Sequence, residues 1–413
     1  MKTITFVRHA ESAANADGIW NGRSDGPLSA TGEAQLEPLG KRLSSTTFDL
    51  VVSSPLGRAQ ETAASFADDV ITDDGFTELD LGRWEGSSAD EVRSRDGAAL
   101  QAAVSDRSQP FGESGESLEQ GANRIGTAVE RLVGRLPDGG SAAIVTHGGL
   151  LQTYLSRFLP GDGRRVHAFV DNTSITRIKF YNDRPRLAVF NDTGHFGPRS
   201  AEVAKSLESG EPVLALVRHG RTRANVEQRW QGQRDWDLDE LGYIQARALA
   251  EYYGQWGTVF SSPLKRAHNT ASHIASGIPT VIEDLQELNM GKWEDLTSDE
   301  IDAQFPGVLK SIYHDGNDLP RGETGETWAQ LTARFRSAVE AVHAAEGEPT
   351  VIVAHGGAIR AYISSLTATK DTHAESLYTV ANTSVSHVAL TARGPMILDY
   401  SVAPHIEGLD VDG

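Results

Sequence analysis

The sequence predicts an α/β fold built twice: two tandem three-layer α/β/α domains, each with a mainly parallel central sheet. Three observations predict it. A segment near the start, Thr5-Phe6-Val7-Arg8-His9-Ala10-Glu11-Ser12, returns as Ala215-Leu216-Val217-Arg218-His219-Gly220-Arg221-Thr222, 210 positions later (219 minus 9), and self-similarity at that period marks duplication of a whole structural unit. The 413 residues exceed what one small core organises and suit two domains of about 200 residues each. Within each copy, short apolar β-rich runs lead straight into polar motifs and alternate with helical patterns, as in βαβ units around a parallel sheet.

The first strand, Ile4 to Val7, delivers Arg8-His9. Asn15 follows, then Trp20 just before Gly22, read as a loop anchor, and Ser29 as the N-cap of a helix. The second strand, Leu50 to Val52, ends in Ser53-Ser54-Pro55-Leu56-Gly57-Arg58-Ala59. There Ser54 reads as an N-cap with proline at the first helical position. Glu78-Leu79 stands ahead of Gly82 and Trp84-Glu85, and Gly-Glu-Ser-Gly-Glu-Ser from Gly112 marks a helix start capped by Ser117. The third strand, Ala142 to Val145, runs into Thr146-His147-Gly148-Gly149, and Asn172-Thr173-Ser174 and His195 close the copy.

The second copy repeats these landmarks at offsets of 208 to 210. Strands Val213 to Val217, Val259-Phe260 and Val351 to Val353 lead to Arg218-His219, to Ser261-Ser262-Pro263-Leu264-Lys265-Arg266-Ala267 and to Ala354-His355-Gly356-Gly357. Asn225, Trp230, Asp239, Glu287-Leu288, Gly291, Trp293-Glu294, Thr327, Asn382-Thr383-Ser384 and His405 fall in register with their counterparts. The polar stretch from Gly197-Pro198 to Glu211-Pro212 reads as the linker, about 197–212, with Val203 to Leu207 able to form a helical turn. The boundary is placed near residue 205, giving domain 1 as 1–204 and domain 2 as 205–413.

Composition narrows the function. Hydrophobic content of 39% with 23% charged residues is globular, and no apolar run approaches the roughly 20 residues of a membrane span. The amino terminus passes straight into a strand, leaving no room for a signal peptide, so a cytoplasmic protein without membrane contact is expected. Zero cysteines exclude disulfides, thiolate catalysis and cysteine zinc sites. A formal charge of −19 without a Lys/Arg cluster argues against a nucleic-acid partner.

Ligands of open α/β sheets sit beyond the carboxyl ends of the strands, where both Arg-His pairs and both His-Gly-Gly loops fall. Each copy would gather two histidines, two arginines and a glutamate: an anion pocket with a nucleophile and a proton donor. Arginine holds phosphate through planar paired hydrogen bonds, which suits Arg8 with Arg58 and Arg218 with Arg266.

These motifs resemble the histidine phosphatase superfamily, the phosphoglycerate-mutase-like fold, once per half and over nearly the whole chain. The resemblance implies that His9 and His219 are nucleophiles forming phosphohistidine. Glu78 and Glu287 would protonate the leaving oxygen and then activate water. Arg8, Asn15, Arg58 and His147, and Arg218, Asn225, Arg266 and His355, would bind phosphate, with no metal or organic cofactor. An acid near neutral pH needs a raised pKa, for which Leu79, Trp84, Leu288 and Trp293 are expected to supply an apolar wall.

The expected activity is hydrolysis of small phosphorylated metabolites such as sugar phosphates or phosphoglycerate derivatives. A mutase is the alternative; family mutases carry a longer insertion between acid and second histidine than the separations here, 69 (147 minus 78) and 68 (355 minus 287). One half as a non-catalytic phospho-ligand-binding or scaffold module is the other, and retention of both glutamates speaks against it. Ala10 replaces the usual glycine, and Asp295 the glycine of Trp-Glu-Gly; neither removes a catalytic group. Different substrates are expected, because Ala89 to Pro110 is nearly free of aromatics whereas Thr297 to Pro320 offers Phe305, Tyr313 and His314. A pairing of the halves resembling a family homodimer is a further expectation. His195 and His405 are read as packing or capping residues.

Overall fold

Runs such as Ala142-Ala143-Ile144-Val145 are apolar at every position because a central parallel strand is covered on both faces, and all four side chains are buried. The computed structural model describes residues 1–161, 165–181, 184–343, 347–368 and 375–409. Each half holds one six-stranded mixed sheet within an α/β fold.

In the first half the strands are β1 (Lys2–Arg8), β2 (Leu50–Ser53), β3 (Ile71–Thr72), β4 (Ser141–Thr146), β5 (Ile175–Tyr181) and β6 (Arg184–Asp192), ordered β3-β2-β4-β1-β5-β6. β1, β2, β3 and β4 pair in parallel, and β5 and β6 add an antiparallel edge. In the second half they are β7 (Val213–Arg218), β8 (Val259–Ser261), β9 (Thr280–Val281), β10 (Thr350–Ala354), β11 (Val385–Thr391) and β12 (Gly394–Ile397), ordered β12-β11-β7-β10-β8-β9 with the same parallel core. The antiparallel edge strands and the two-residue strands β3 and β9 are additions to the three strands per copy read from the sequence.

Neighbouring side chains on β1 serve opposite layers. Val7 packs with Leu39, Leu43, Ala59 and Ala63 from the helices Ala30–Leu43 and Gly57–Ala64. Phe6 instead meets Tyr154, at 5.5 Å between ring centres, on the helix Gly148–Leu155. The core therefore lies on both faces of the sheet, and the loops at its carboxyl edge are free to carry chemistry.

The expected caps divide. Ser29, Asp239, Ser117 and Thr327 all cap helices through their side-chain oxygens. Ser54 and Ser262 do not: the helices Gly57–Ala64 and Lys265–Ile274 begin later, with Leu56 and Leu264 at the N-cap position. Pro55 and Pro263 lie outside those helices, and the serine hydroxyls instead accept from the amides of Leu56 and Leu264, each at 3.3 Å.

The chain separates into two compact units, Met1–Gly163 with Phe169–Phe196, and Arg164–Ala168 with Gly197–Gly413. Part of the linker candidate is the helix Ala201–Glu208, whose Val203 packs with Val213, Ala389 and Leu398. The short segment counted with the second unit is tied by hydrogen bonds from the Ala168 amide to the Ile397 carbonyl and from the Ile397 amide to the Val166 carbonyl.

Candidate active site

Parallel pairing of β1 with β4 sets Arg8 opposite Thr146, so His9 and His147 emerge side by side from neighbouring strand ends. The His9 amide donates to the Thr146 carbonyl at 2.9 Å, and the rings lie 4.9 Å apart, both buried. β7 and β10 repeat this: the His219 amide donates to Ala354 at 3.0 Å, and the rings of His219 and His355 are 5.3 Å apart.

The ring of His9 has a defined tautomer. Its Nδ1 lies 2.6 Å from the Ala10 carbonyl, and His219 Nδ1 lies 2.7 Å from that of Gly220. A carbonyl only accepts, so Nδ1 carries the hydrogen and Nε2 keeps its lone pair. Burial, with Arg8 and Arg58 nearby, holds His9 well below the usual imidazole pKa; burial, Arg266 and Arg218 do the same for His219. Both are neutral imidazoles near pH 7.

His147 Nε2 meets the Ser54 hydroxyl at 2.7 Å, and His355 Nε2 meets Ser262 at 2.8 Å. The Nδ1 atoms of both rings are buried without a protein partner. When the serine donates to Nε2, Nδ1–H is left as a donor for an anion. The same holds for the Nε–H groups of Arg8, Arg58, Arg218 and Arg266, all buried and unpartnered. Their outer nitrogens are anchored to backbone carbonyls: Arg8 to Val170, Arg58 to Ser24 and Gly22, Arg218 to Val380, and Arg266 to Arg234 and Gly232. Burial lowers Arg218 and Arg266 to about 10, which leaves both charged at neutral pH.

Glu78 sits at the start of the helix Gly148–Leu155, accepting from the amides of Leu79, Gly149 and Leu150 at 2.8, 2.9 and 2.6 Å. Burial raises its pKa, partly offset by those amides and by Arg58. Leu79 and Trp84 are buried. Glu287 accepts from Leu288 and Gly357, each at 2.8 Å. A side chain on Gly149 or Gly357 would collide with these carboxylates, at 2.9 and 2.5 Å from an oxygen.

Asn15 and Asn225 take up the third position of the capping box begun by Ser12 and Thr222. The cap uses the amide oxygen, so the NH2 end remains the group able to meet an anion. Thus all twelve sequence-predicted residues gather as two sets of six. Others belong with them. Asn172 and Asn382 donate to the carbonyls of His9 and His219 at 2.8 and 2.9 Å. Arg124 and Arg334 bond the backbone carbonyls of Glu78 and Glu287, and each pairs with a glutamate, Glu116 or Glu326. Ser54 and Ser262 fix the second histidines. The available signal for all three pairs was their strict register between the halves.

Trp20 and Trp230 are anchors, 6.2 and 6.0 Å from Trp84 and Trp293. Of the three expected aromatics, Phe305 and Tyr313 both pack against the apolar cluster of Trp293, Ile301 and Ile312, and His314 is exposed beside Asp315.

The sequence profile of the histidine phosphatase superfamily (branch 1) matches residues 4–193 and 214–402. Glucosyl-3-phosphoglycerate phosphatase of Mycobacterium tuberculosis is 38% identical over 37% of this chain and 74% of its own. Metal-independent phosphoserine phosphatase of Arabidopsis thaliana is 35% identical over 49% of this chain and 87% of its own. Among solved structures, Bacillus stearothermophilus YhfR aligns at 30% identity and a TM-score of 0.44, covering 47% of this chain and 99% of that one.

Proposed function

The chain belongs through both halves to the histidine phosphatase superfamily (branch 1) and is a phosphoric monoester hydrolase; on that premise we propose that each half carries a complete site for small phosphorylated metabolites. The observation that carries this is the histidine tautomer: Nδ1 spent on the carbonyl of the next residue, Nε2 bare among buried guanidiniums. The relatives, named for phosphoserine and glucosyl-3-phosphoglycerate, support substrates of that size.

In the proposed reaction His9 Nε2 attacks phosphorus, the bond to the leaving oxygen breaks, and Glu78 gives that oxygen its proton. The N–P bond is then broken by water, which loses its proton to the same carboxylate and releases phosphate. Arg8, Arg58, Asn15 and His147 hold the equatorial oxygens throughout, since phosphoryl transfer needs mainly positioning and charge stabilisation. His219, Glu287, Arg218, Arg266, Asn225 and His355 act likewise in the second half.

Phosphate release from a panel of phosphomonoesters in EDTA tests this with wild type, His9→Ala, His219→Ala and the double variant. Partial loss in each single variant and none left in the double is expected. Full activity in the double variant refutes a histidine nucleophile, and loss in one single variant alone assigns the activity to one half. Conversion of 3-phosphoglycerate to 2-phosphoglycerate without phosphate release would support the mutase alternative.

A further inference from the structure

The doubled motif Gly112-Glu113-Ser114-Gly115-Glu116-Ser117 and its counterpart Gly322-Glu323-Thr324-Gly325-Glu326-Thr327 do more than start helices. Each lies backbone against backbone along the segment that carries the acid. The Glu116 amide donates to the Asp80 carbonyl at 2.8 Å, and a Cβ on Gly115 would collide with that carbonyl. In the second half the Glu326 amide donates to the Asn289 carbonyl at 2.9 Å, where a Cβ on Gly325 would collide likewise.

The side chain of the motif's second glutamate turns to an arginine on the helix that the motif opens. Arg124, in Leu118–Arg135, gives Nε and Nη2 to the two carboxylate oxygens of Glu116, at 2.8 and 2.6 Å. This bidentate pair fixes the guanidinium plane. With side chains only 21% and 11% exposed, it is not a loose surface contact. The remaining donors clasp the main chain that leads into the acid. Nη1 donates to the carbonyls of Asp74, Gly75 and Thr77 at 3.3, 3.1 and 2.7 Å, and Nη2 to that of Glu78 at 3.4 Å. Residues 77–81 lie between the short helices Asp74–Phe76 and Gly82–Trp84, so their carbonyls look beyond regular structure for donors. Arg334 repeats the arrangement. It pairs with both oxygens of Glu326 at 2.8 Å and donates to Asp284, Gln286 and Glu287 at 2.8, 3.1 and 3.2 Å.

We infer that Arg124 and Arg334 are positioning residues for the proton donors Glu78 and Glu287, aimed in turn by Glu116 and Glu326. The clasp acts through the main chain of the acid, and without it the carboxyl no longer meets the leaving oxygen in line. A misplacement of about 1 Å costs on the order of 10²-fold in rate. The inference rests on the acid role proposed above for Glu78 and Glu287.

The test uses the full chain with His219→Ala, so that only the first site turns over. Phenyl phosphate and p-nitrophenyl phosphate present nearly the same body, but p-nitrophenolate departs as an anion, whereas the more basic phenolate departs with a proton from the acid. Their kcat/KM values cover the steps through departure of the leaving group and exclude the later attack of water. Glu78→Gln is expected to raise the ratio of kcat/KM for p-nitrophenyl over phenyl phosphate by at least about tenfold. Arg124→Gln should move the ratio in the same direction, with Arg124→Lys between it and the parent. In the chain carrying both Glu78→Gln and Arg124→Gln the ratio should stay where Glu78→Gln alone puts it, because an absent acid cannot be misaimed. Arg334→Gln in the His9→Ala chain should act on the second site in the same way. A ratio unmoved by Arg124→Gln, with both kcat/KM values falling together, makes the clasp a scaffold and overturns the inference while the acid stands. A ratio unmoved by Glu78→Gln overturns the acid reading instead, and the positioning role with it. Should Arg124→Gln not fold, Glu116→Gln, which keeps Arg124 and one acceptor oxygen, carries the same expectation, and an unmoved ratio there overturns the inference equally.

Discussion

An imidazole attacks phosphorus only while one ring nitrogen is bare, and a carboxyl protonates a leaving oxygen only while it holds its proton. The first site tunes both conditions by burial: His9 is driven below 6.5 and Glu78 above 4.5. Activity needs neutral His9 and protonated Glu78. In the His219→Ala chain the acid limb of the pH–rate profile should therefore have its midpoint below 6.5, while the alkaline limb follows Glu78 and disappears in Glu78→Gln. An acid limb at or above 6.5 would contradict the neutral nucleophile. Most of this site was legible, because strand-end histidines and paired arginines announce anion chemistry by type alone. Ser54 was not: a serine before proline reads as a cap, and only the fold shows its hydroxyl 2.7 Å from His147.

At the scale of elements, the turns that carry these side chains hold backbone conformations most residues avoid. Thr173 and Thr383 have φ of +58° and +56°, and each threonine hydroxyl meets a histidine, His195 at 3.1 Å and His405 at 3.0 Å. The capping role read for these histidines thus takes the form of bracing the turn next to Asn172 and Asn382. Asp295, at φ +71°, stands where Gly86 has φ +74°. Asp295→Gly is expected to raise stability by about 0.5–1 kcal/mol in chemical denaturation, since glycine adopts that region without a Cβ clash. At the nucleophile turn the halves differ in the opposite sense. A Cβ on Gly220 would come within 2.6 Å of the Gly242 carbonyl, whereas Ala10 is accommodated and buried. Gly220→Ala should lower stability measurably while Ala10→Gly changes it little. A sequence shows that Ala10 and Gly220 differ but not which backbone each faces.

For the molecule as a whole, four neutral imidazoles are buried in strand-end pockets, His9, His147, His219 and His355, all held well below 6.5 by burial and nearby arginines. The unfolded chain binds those protons first as pH falls, so their contribution is full above 6.5 and declines below it. The two imidazoles of one half impose a slope of at most about 3 kcal/mol per pH unit. Glu78, raised, works in the opposite direction between 4.5 and its own value. Melting temperature against pH should accordingly drop on acidification below 6.5, less steeply in a chain with His147→Gln and His355→Gln. The doubly covered parallel strands were legible because every position is apolar. The edge strands escaped notice because β5, Ile-Thr-Arg-Ile-Lys-Phe-Tyr, mixes buried and open positions with a register shift, and the two-residue β3 is too short to leave a pattern. The segment before Phe169 has a consequence for biosynthesis. Val166 and Ala168 hydrogen-bond with Ile397, which leaves the ribosome 229 positions after Ala168 (397 minus 168). At about 5–20 residues per second this is roughly 10–50 s, an interval in which the nascent first half can close its sheet while these few residues wait for a partner not yet translated.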